Sequence, residues 1–473
     1  MAGPPLNPSP SPDLSDLQGL LRSGYTSLPH ARFCLYTAAG RSSGRAFLAA
    51  LHPIVTSAAE REVKVVTQVA MTASCLKQLS VSDDVIAQFP LEFLEGMATA
   101  ERSVFLGDVG DQDPANWAWG GPGNPRVDLL VMTYAPSADR LEAACTQVDA
   151  LAETHQLSMA GVLTTSPWST EEPFGFRDGI SQPRLDEFAS TARRAQEGLF
   201  SAPRPVAIGE FVLGYPNEYG HLTERPMVLR ASDPDRLLPD DPSGSGEADL
   251  GRNGTYLVLR TLRQSVDEFW AYARQASGGD PVAATALAAK MVGRWPSGAP
   301  LALASDQDRP ELAQSNDFGY HAHDRLGLSC PIGAHIRRAN PRDALDPRPG
   351  SAESLAVTDR HRLLRRGRNY GPVKDGGAPG NERGLQFIAL VANLSRQFEF
   401  VQHTWLDSTK FDGLYEDVDP VTGTRGPGAS TFTVPGTPFR NRYLDVPSFV
   451  TTRGGAYFFL PGIRALNYLA NGP

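Results

Sequence analysis

From Arg32 onward the apolar positions change their period in a regular order. "ARFCLYTAA" alternates as a strand does, "SGRAFLAALHPIVTSA" runs at helical spacing, and "REVKVVTQVAMTA" alternates again. The same succession returns in "VDLLVMTYA" (127–135), "SADRLEAACTQVDALAETH" and "SMAGVLTTS". Two such β-α-β pieces predict a ferredoxin-like α+β unit, an antiparallel sheet with helices on one face. Between them lies "DVGDQDPANWAWGGPGNP", a Gly/Pro-rich loop carrying Trp117 and Trp119.

A turn-rich stretch follows, and then the pattern resumes. "NGTYLVLRTL" predicts a strand, "SVDEFWAYARQAS" and "PVAATALAAKMVG" helices, "GLQFIALVANL" (384–394) a strand, "SRQFEFVQHTWL" a helix and "GGAYFFLPG" a late strand. The second half therefore reads as the first half enlarged by loops, with no repeat at the level of residues. The expected organisation is a disordered Pro/Ser leader over 1–25, an N-terminal ferredoxin-like domain over 26–165, a connecting segment over 166–249 and a C-terminal ferredoxin-like domain over 250–473.

Composition narrows the class. With 41% hydrophobic and 21% charged residues, the 473-residue chain has enough apolar material for two domain cores. A net charge of −9 argues against nucleic acid or an anionic membrane as the main partner. No apolar run is long enough to span a bilayer. "MAGPPLNPSPSPDLSD" carries neither a basic region nor an apolar core, so it does not read as an export signal. Four scattered cysteines (Cys34, Cys75, Cys145, Cys330) without a C-x-x-C pair suit a reducing cytoplasm and suggest no zinc site.

The chemistry begins at "EEPFGFRDGISQP", residues 171–183. Asp178 sits on a bend bounded by Gly175 and Gly179, with Phe174 and Phe176 beside it. An ordinary turn whose aspartate bonds its own backbone would look the same. Of the nine histidines, His321 and His323 form an H-x-H pair with no third ligand nearby. His335 stands apart in "GLSCPIGAHIRRANPRD", followed by Arg337, Arg338 and Arg342. One imidazole beside several arginines suits haem, which needs an axial nitrogen and carries two propionates; a core histidine beside surface arginines is the competing reading. A second arginine cluster, "RHRLLRRGRNYG", precedes an apolar strand on which Leu385 and Phe387 could line a pocket.

Together these segments resemble the dye-decolorizing peroxidases. The likeness rests on Gly175-x-x-Asp178-Gly179, "CPIGAHIRRANPRD", "RRGRNYG", "GEFVLGYPNEYG", "LAAKMVGRWPSG" and "GLQFIALVANLSRQFEFVQHTWL". They cover most of residues 171–465 in the family's order, and the first 165 residues match only as a fold pattern. The resemblance implies two ferredoxin-like domains of the dimeric α+β barrel type, with one haem b per chain held mainly by the C-terminal domain. It implies a peroxidase of the larger bacterial type that uses hydrogen peroxide to oxidise dyes, phenolics and other aromatic electron donors. His335 matches the iron ligand, Asp178 the distal acid and Arg365 the distal arginine, and a slip of one residue would exchange Arg365 with Arg366. Arg338 and Arg342 match as cofactor contacts, and Leu385 and Phe387 as the apolar wall beside the peroxide. The acid that holds the ligand histidine is expected at Asp445 in "RYLDVPSF", with Glu399 as second choice. For donors too large to enter, Tyr370 is the first candidate for a surface radical and Trp405 the second.

The resemblance also explains why an acid belongs on so tight a bend. Peroxide must give up a proton, and its outer oxygen must regain one as the O–O bond breaks. A carboxylate held over the haem can do both. The alternatives are a chlorite dismutase-like haem enzyme, a non-catalytic haem carrier or sensor, or a protein without haem. A carrier has no use for the Asp178/Arg365 pair. Self-association, encapsulation, manganese oxidation and the physiological donor are left open by the residues.

Overall fold

The structure is a computed structural model and describes residues 11–61, 64–188, 205–372, 382–426 and 430–472. In the N-terminal half, strand β1 (His30–Ala38) leads to helix α1 (Arg41–Leu51) and strand β2 (Val66–Met71). Strand β3 (Leu129–Ala135), helix α2 (Ala138–Thr154) and strand β4 (Leu157–Thr164) complete it. The C-terminal half begins with strand β5 (Thr255–Gln264) and helices α3 (Val266–Ala276) and α4 (Pro281–Val292). It continues through helix α5 (His335–Ala339), strands β6 (Leu364–Arg365), β7 (Arg368–Tyr370), β8 (Gly384–Val391) and β9 (Val450–Leu460), and helix α6 (Ile463–Asn471).

All the main strands join one nine-stranded sheet in the order β4-β1-β3-β2-β9-β5-β8-β6, with β7 also on β8. Each half runs fourth, first, third, second, which is the ferredoxin-like order, and every pairing is antiparallel. The halves meet where β2 pairs β9 at Met71 and Phe459. The duplication expected from the hydrophobic periods is thus present in topology, but the two units share one sheet.

Alternation along β1 serves both faces of that sheet. Cys34 and Tyr36 join a core with Phe47 and Leu48 of α1 and Leu466 of α6, while Phe33 and Leu35 join a core with Leu257 and Phe458 on the opposite face. Burying each such large apolar side chain contributes about 1.5–3 kcal/mol. A third core lies under the C-terminal half, between α3 and α4 and the segments that carry Phe174 and Phe176. Helix α4 starts where its composition says it should: Asp280 caps the Val282 N–H at 3.0 Å and Pro281 fills the first turn.

The N-terminal leader is shorter than expected. Residues 1–10 lie outside the described residues, but Leu17, Leu20 and Leu21 are fully buried, so the chain is packed well before residue 25. Pro and Ser dominate the composition there, and three leucines at core spacing outweigh them energetically. The connecting segment over 166–249 is also ordered where described, with Phe211, Val212, Leu213 and Tyr215 buried. Residues 189–204 of it lie outside the described residues. Among the described residues no helix is long and apolar enough to cross a membrane, and the four cysteines are free and buried.

Candidate active site

The bend at Asp178 is built by its neighbours. Glu172 accepts the N–H groups of Phe174 and Phe176 at 3.0 Å each, and the Gln264 side-chain amide at 2.7 Å. Phe174 packs on Phe269 at 4.6 Å, and Phe176 stacks parallel to Trp270 at 6.1 Å. The Trp270 indole N–H donates to the Phe174 carbonyl at 3.0 Å. The two aromatic rings therefore pin the loop to α3, and Gly175 and Gly179 take the positive φ of 94° and 82° that the reversal requires. Glu172 was not singled out in the sequence; its place six residues before Asp178, inside the same loop, was the available signal. Burial pushes its carboxyl up to about 7, against the pull of the two backbone N–H groups and Gln264.

Asp178 emerges from this bend into a cavity of about 560 Å³. Its side chain is 47% accessible, and the opening is onto the cavity, whose wall includes Asp178 and His335. Oδ1 accepts from Arg365 Nη1 at 2.8 Å and from the Gly179 N–H at 2.6 Å, which leaves Oδ2 uncommitted among the described residues. Burial alone would raise this carboxyl; Arg365 and the Gly179 N–H more than offset that and hold it below the usual aspartate range. Arg365 comes from β6, where it pairs with Ala389 of β8 and donates its own N–H to Gln182 at 3.1 Å. Arg366 points elsewhere, donating to the Leu20 and Leu21 carbonyls at 2.8 and 3.0 Å. The structure thus brings Arg365, and not its neighbour, to Asp178. Leu385 and Phe387 project from β8 into the same cavity.

His335 opens α5 and lines the cavity as well. Its Nδ1 meets Asp419 Oδ2 at 3.0 Å, so Nε2 is the nitrogen left for a ligand. Asp419 is fully buried, and its Oδ1 accepts the N–H groups of Val421 and Thr422 at 2.9 and 2.7 Å. Burial raises this carboxyl, but His335, the Thr422 N–H and Arg338 bring it down to about 2. Burial lowers the His335 imidazole, and Asp419 outweighs that and holds it above its ordinary value.

The expected partner was therefore misplaced. Asp445 is exposed, with φ of 53°, and does not line the cavity. Glu399 is bound to Tyr457 at 2.8 Å and Arg102 at 2.9 Å. Asp419 lies 84 residues from His335, and no local pattern announces such a contact.

The arginines of the histidine segment also divide. Arg338 is fully buried and donates to the carbonyls of Trp405, Ser408 and Asp417 at 2.6–3.0 Å. It braces the loop that holds Asp419 and does not reach the cavity wall, which corrects its expected role as a cofactor contact. Arg342 does line the cavity, together with Arg177, Arg294 and Arg362. Arg342 donates to the Asn316 and Phe318 carbonyls and to the Asn316 side chain, all neutral groups. Burial lowers the Arg294 and Arg362 guanidiniums to about 10, so both remain cations at neutral pH. A flat dianion that needs an axial nitrogen fits this wall, which carries several cations, one free imidazole nitrogen and an acid–arginine pair. The residues present fit haem.

Of the two rings expected to carry electrons at the surface, Tyr370 is partly buried and Trp405 almost wholly so. The Tyr370 hydroxyl is buried without a partner among the described residues, and burial, with Glu382 nearby, pushes its phenol up. Trp405 is 5% exposed and packs against His361 and Phe400 at 5.1 and 5.4 Å. That aromatic cluster is backed by Ala339 and Leu363, which line the cavity. His321 and His323 lie on a short helix, Tyr320–Asp324, and no metal-holding group forms among the described residues.

No family model matches the chain. A multifunctional dye peroxidase of an Amycolatopsis species is 30% identical over 384 residues, covering 76% of this chain and 74% of that protein. The dye-decolorizing peroxidase msp1 of Mycetinis scorodonius is 29% identical over 431 residues, covering 84% and 75%. A fungal DyP-type peroxidase from Auricularia auricula-judae, solved as a crystal structure, shares the fold with a TM-score of 0.77 at 24% identity, over 98% of this chain and 100% of that one.

Proposed function

We propose, from the premise that this chain belongs to the dye-decolorizing peroxidase family and is a haem-dependent peroxidase, that Asp178 and Arg365 handle peroxide while His335 holds the iron. The observation that carries this is the cavity with an ion-paired acid on one wall and an Asp419-bound imidazole on another. Haem, when bound, supplies the iron on which peroxide is reduced and the store of oxidising equivalents. We assign it as haem b, one per chain, because no C-x-x-C-H segment offers a covalent attachment.

His335 would bind through Nε2, oriented and made more basic by Asp419. Arg342 and Arg362, with Arg177 and Arg294, would face the propionates. Asp178 takes a proton from hydrogen peroxide at Oδ2, since Oδ1 is engaged, and returns it to the departing oxygen. Arg365 keeps Nε and Nη2 to stabilise negative charge as that oxygen leaves. Leu385 and Phe387 keep the reacting side dry.

The donors are dyes and phenolics. Those too large for the cavity would deliver electrons through Trp405, whose aromatic cluster rests on cavity-lining residues, ahead of Tyr370, whose sealed phenol has no proton acceptor among the described residues. The larger bacterial type is the reading we keep; a likeness to the Amycolatopsis protein at 30% identity supports it, beside fungal relatives at 29%. Four free cysteines favour the cytoplasm. We keep the 26–165, 166–249 and 250–473 division as a working partition, with the catalytic acid supplied by the connecting segment.

The direct test is His335→Ala. The purified variant should lose its Soret band or keep only a small fraction of wild-type haem occupancy. Full occupancy with an unchanged ferric spectrum would assign the iron to another residue.

A further inference from the structure

Trp168 is unlike the other tryptophans of this chain. Buried tryptophans ordinarily commit their indole N–H to an acceptor. Trp117, Trp119, Trp270 and Trp295 do so, to Gln112, Thr261, Phe174 and Ala304 at 2.7–3.0 Å. Trp405, whose N–H also has no acceptor among the described residues, is buried in its own aromatic cluster and does not line the cavity. Trp168 is only partly buried, lines the cavity, and has no acceptor for its N–H among the described residues.

Its orientation is held from behind. The Arg368 guanidinium lies over the Trp168 ring at 4.9 Å and over Tyr134 at 5.2 Å, so it is sandwiched between the two. Arg368 is 1% exposed and donates to the carbonyls of Gly24, Tyr25 and Leu28 at 2.8–3.2 Å. It does not line the cavity, whereas Trp168 does; the cation therefore covers the inner face of the indole. The Trp168 backbone N–H is tied to Pro29 at 2.8 Å. The result is a flat aromatic wall, rigid and unpaired, on the same cavity as Asp178 and Arg365, bordered by Gly24, Thr26 and Asn369.

We propose that Trp168 is the docking platform for the aromatic electron donor: a planar ring stacks on the open indole face, and an oxygen substituent of that ring accepts the indole N–H. This rests on the peroxidase reading of the cavity. The guanidinium also decides between docking and electron relay. A cation against the ring stabilises neutral indole and opposes its loss of an electron, so Trp168 binds the donor and does not carry the radical.

The test uses holoenzyme with hydrogen peroxide and two donors, guaiacol and a sulfonated anthraquinone dye. Trp168→Ala should raise KM for guaiacol, the donor small enough to enter the cavity, roughly three- to tenfold, the worth of one aromatic pair, with the loss in KM and not in kcat and with the dye, which is oxidised from outside the cavity, unchanged. Trp168→Phe keeps a ring but no N–H and should fall between wild type and Trp168→Ala. If Trp168→Ala fails to fold, Trp168→Phe decides alone: a raised KM supports docking and an unchanged KM overturns it. A fall in kcat at unchanged KM would overturn docking in favour of a relay. Wild-type holoenzyme that oxidises neither donor would overturn the peroxidase reading itself, a result visible before any variant is made.

Discussion

At Asp178, one carboxyl oxygen is held and the other is free, and that asymmetry has consequences for pH. Burial would raise the carboxyl, yet Arg365 and the Gly179 N–H bring it below the usual value. A group with a depressed value stays ionised until the pH falls through that value, so the base remains competent in acid. The rate of reaction with peroxide, followed by stopped flow, should stay flat from neutrality down to about pH 4, where a histidine base of ordinary pKa near 6.5 would already be protonated. Asp178→Asn should slow that step by about a hundred- to ten-thousandfold. Arg365→Leu should slow it by about a hundred- to a thousandfold. It should also move the acid limb of the profile upward, because the charge that depresses Asp178 is gone. Both variants should retain haem; peroxide reaction at the wild-type rate in both would remove this pair from the mechanism.

The bend that presents Asp178 is an element in its own right, and Glu172 is its keystone. It satisfies two backbone N–H groups and the Gln264 amide at once. Glu172→Ala leaves those donors without their acceptor, at about 1–3 kcal/mol for each one left buried and unsatisfied. The melting temperature should drop by several degrees. The reaction with peroxide should slow by more than tenfold, because a displaced carboxylate no longer lies within reach of the proton it moves. A Glu172→Ala protein with wild-type peroxide kinetics would show that the phenylalanine packing on α3 suffices to set the bend. The aromatic residues of this motif, conspicuous in the sequence, thus serve as anchors: Phe174 and Phe176 contact Phe269 and Trp270 of α3.

Across the whole molecule, the proposed reading requires oxidising equivalents to travel from the cavity to donors too large to enter it. Trp405 rests on Ala339 and Leu363 of the cavity wall, and its ring neighbours are His361 and Phe400. Tyr370 has its hydroxyl sealed without a proton acceptor among the described residues, which disfavours the neutral phenoxyl radical. Trp405→Phe should therefore lose most turnover on a bulky anthraquinone dye while oxidising guaiacol at near the wild-type rate, and Tyr370→Phe should change neither by more than about twofold, the effect expected of an uninvolved packing ring. The reverse ranking in steady-state assays would return the path to Tyr370.

Much of this was written locally in the chain. Strand and helix periods predict the two ferredoxin-like halves, because alternation and helical spacing are properties of adjacent residues. Gly175, Asp178 and Gly179 announce the bend, and His335 and Arg365 stand in segments whose order alone suggests a haem enzyme. What needed the tertiary structure were contacts between residues far apart in the chain. Asp419 reaches His335 across 84 residues, whereas the expected choice, Asp445, is exposed to solvent. Arg338, on helix α5, is buried against the carbonyls of Trp405, Ser408 and Asp417, while Arg342, three residues beyond the helix, lines the cavity, because the chain turns between them. Leu17, Leu20 and Leu21 are buried although they follow a Pro/Ser-rich start, since the core that receives them is assembled from several strands, some of them, β3 and β5, more than a hundred residues later. Composition reports what a segment can do by itself; only the folded chain decides which distant surface it covers.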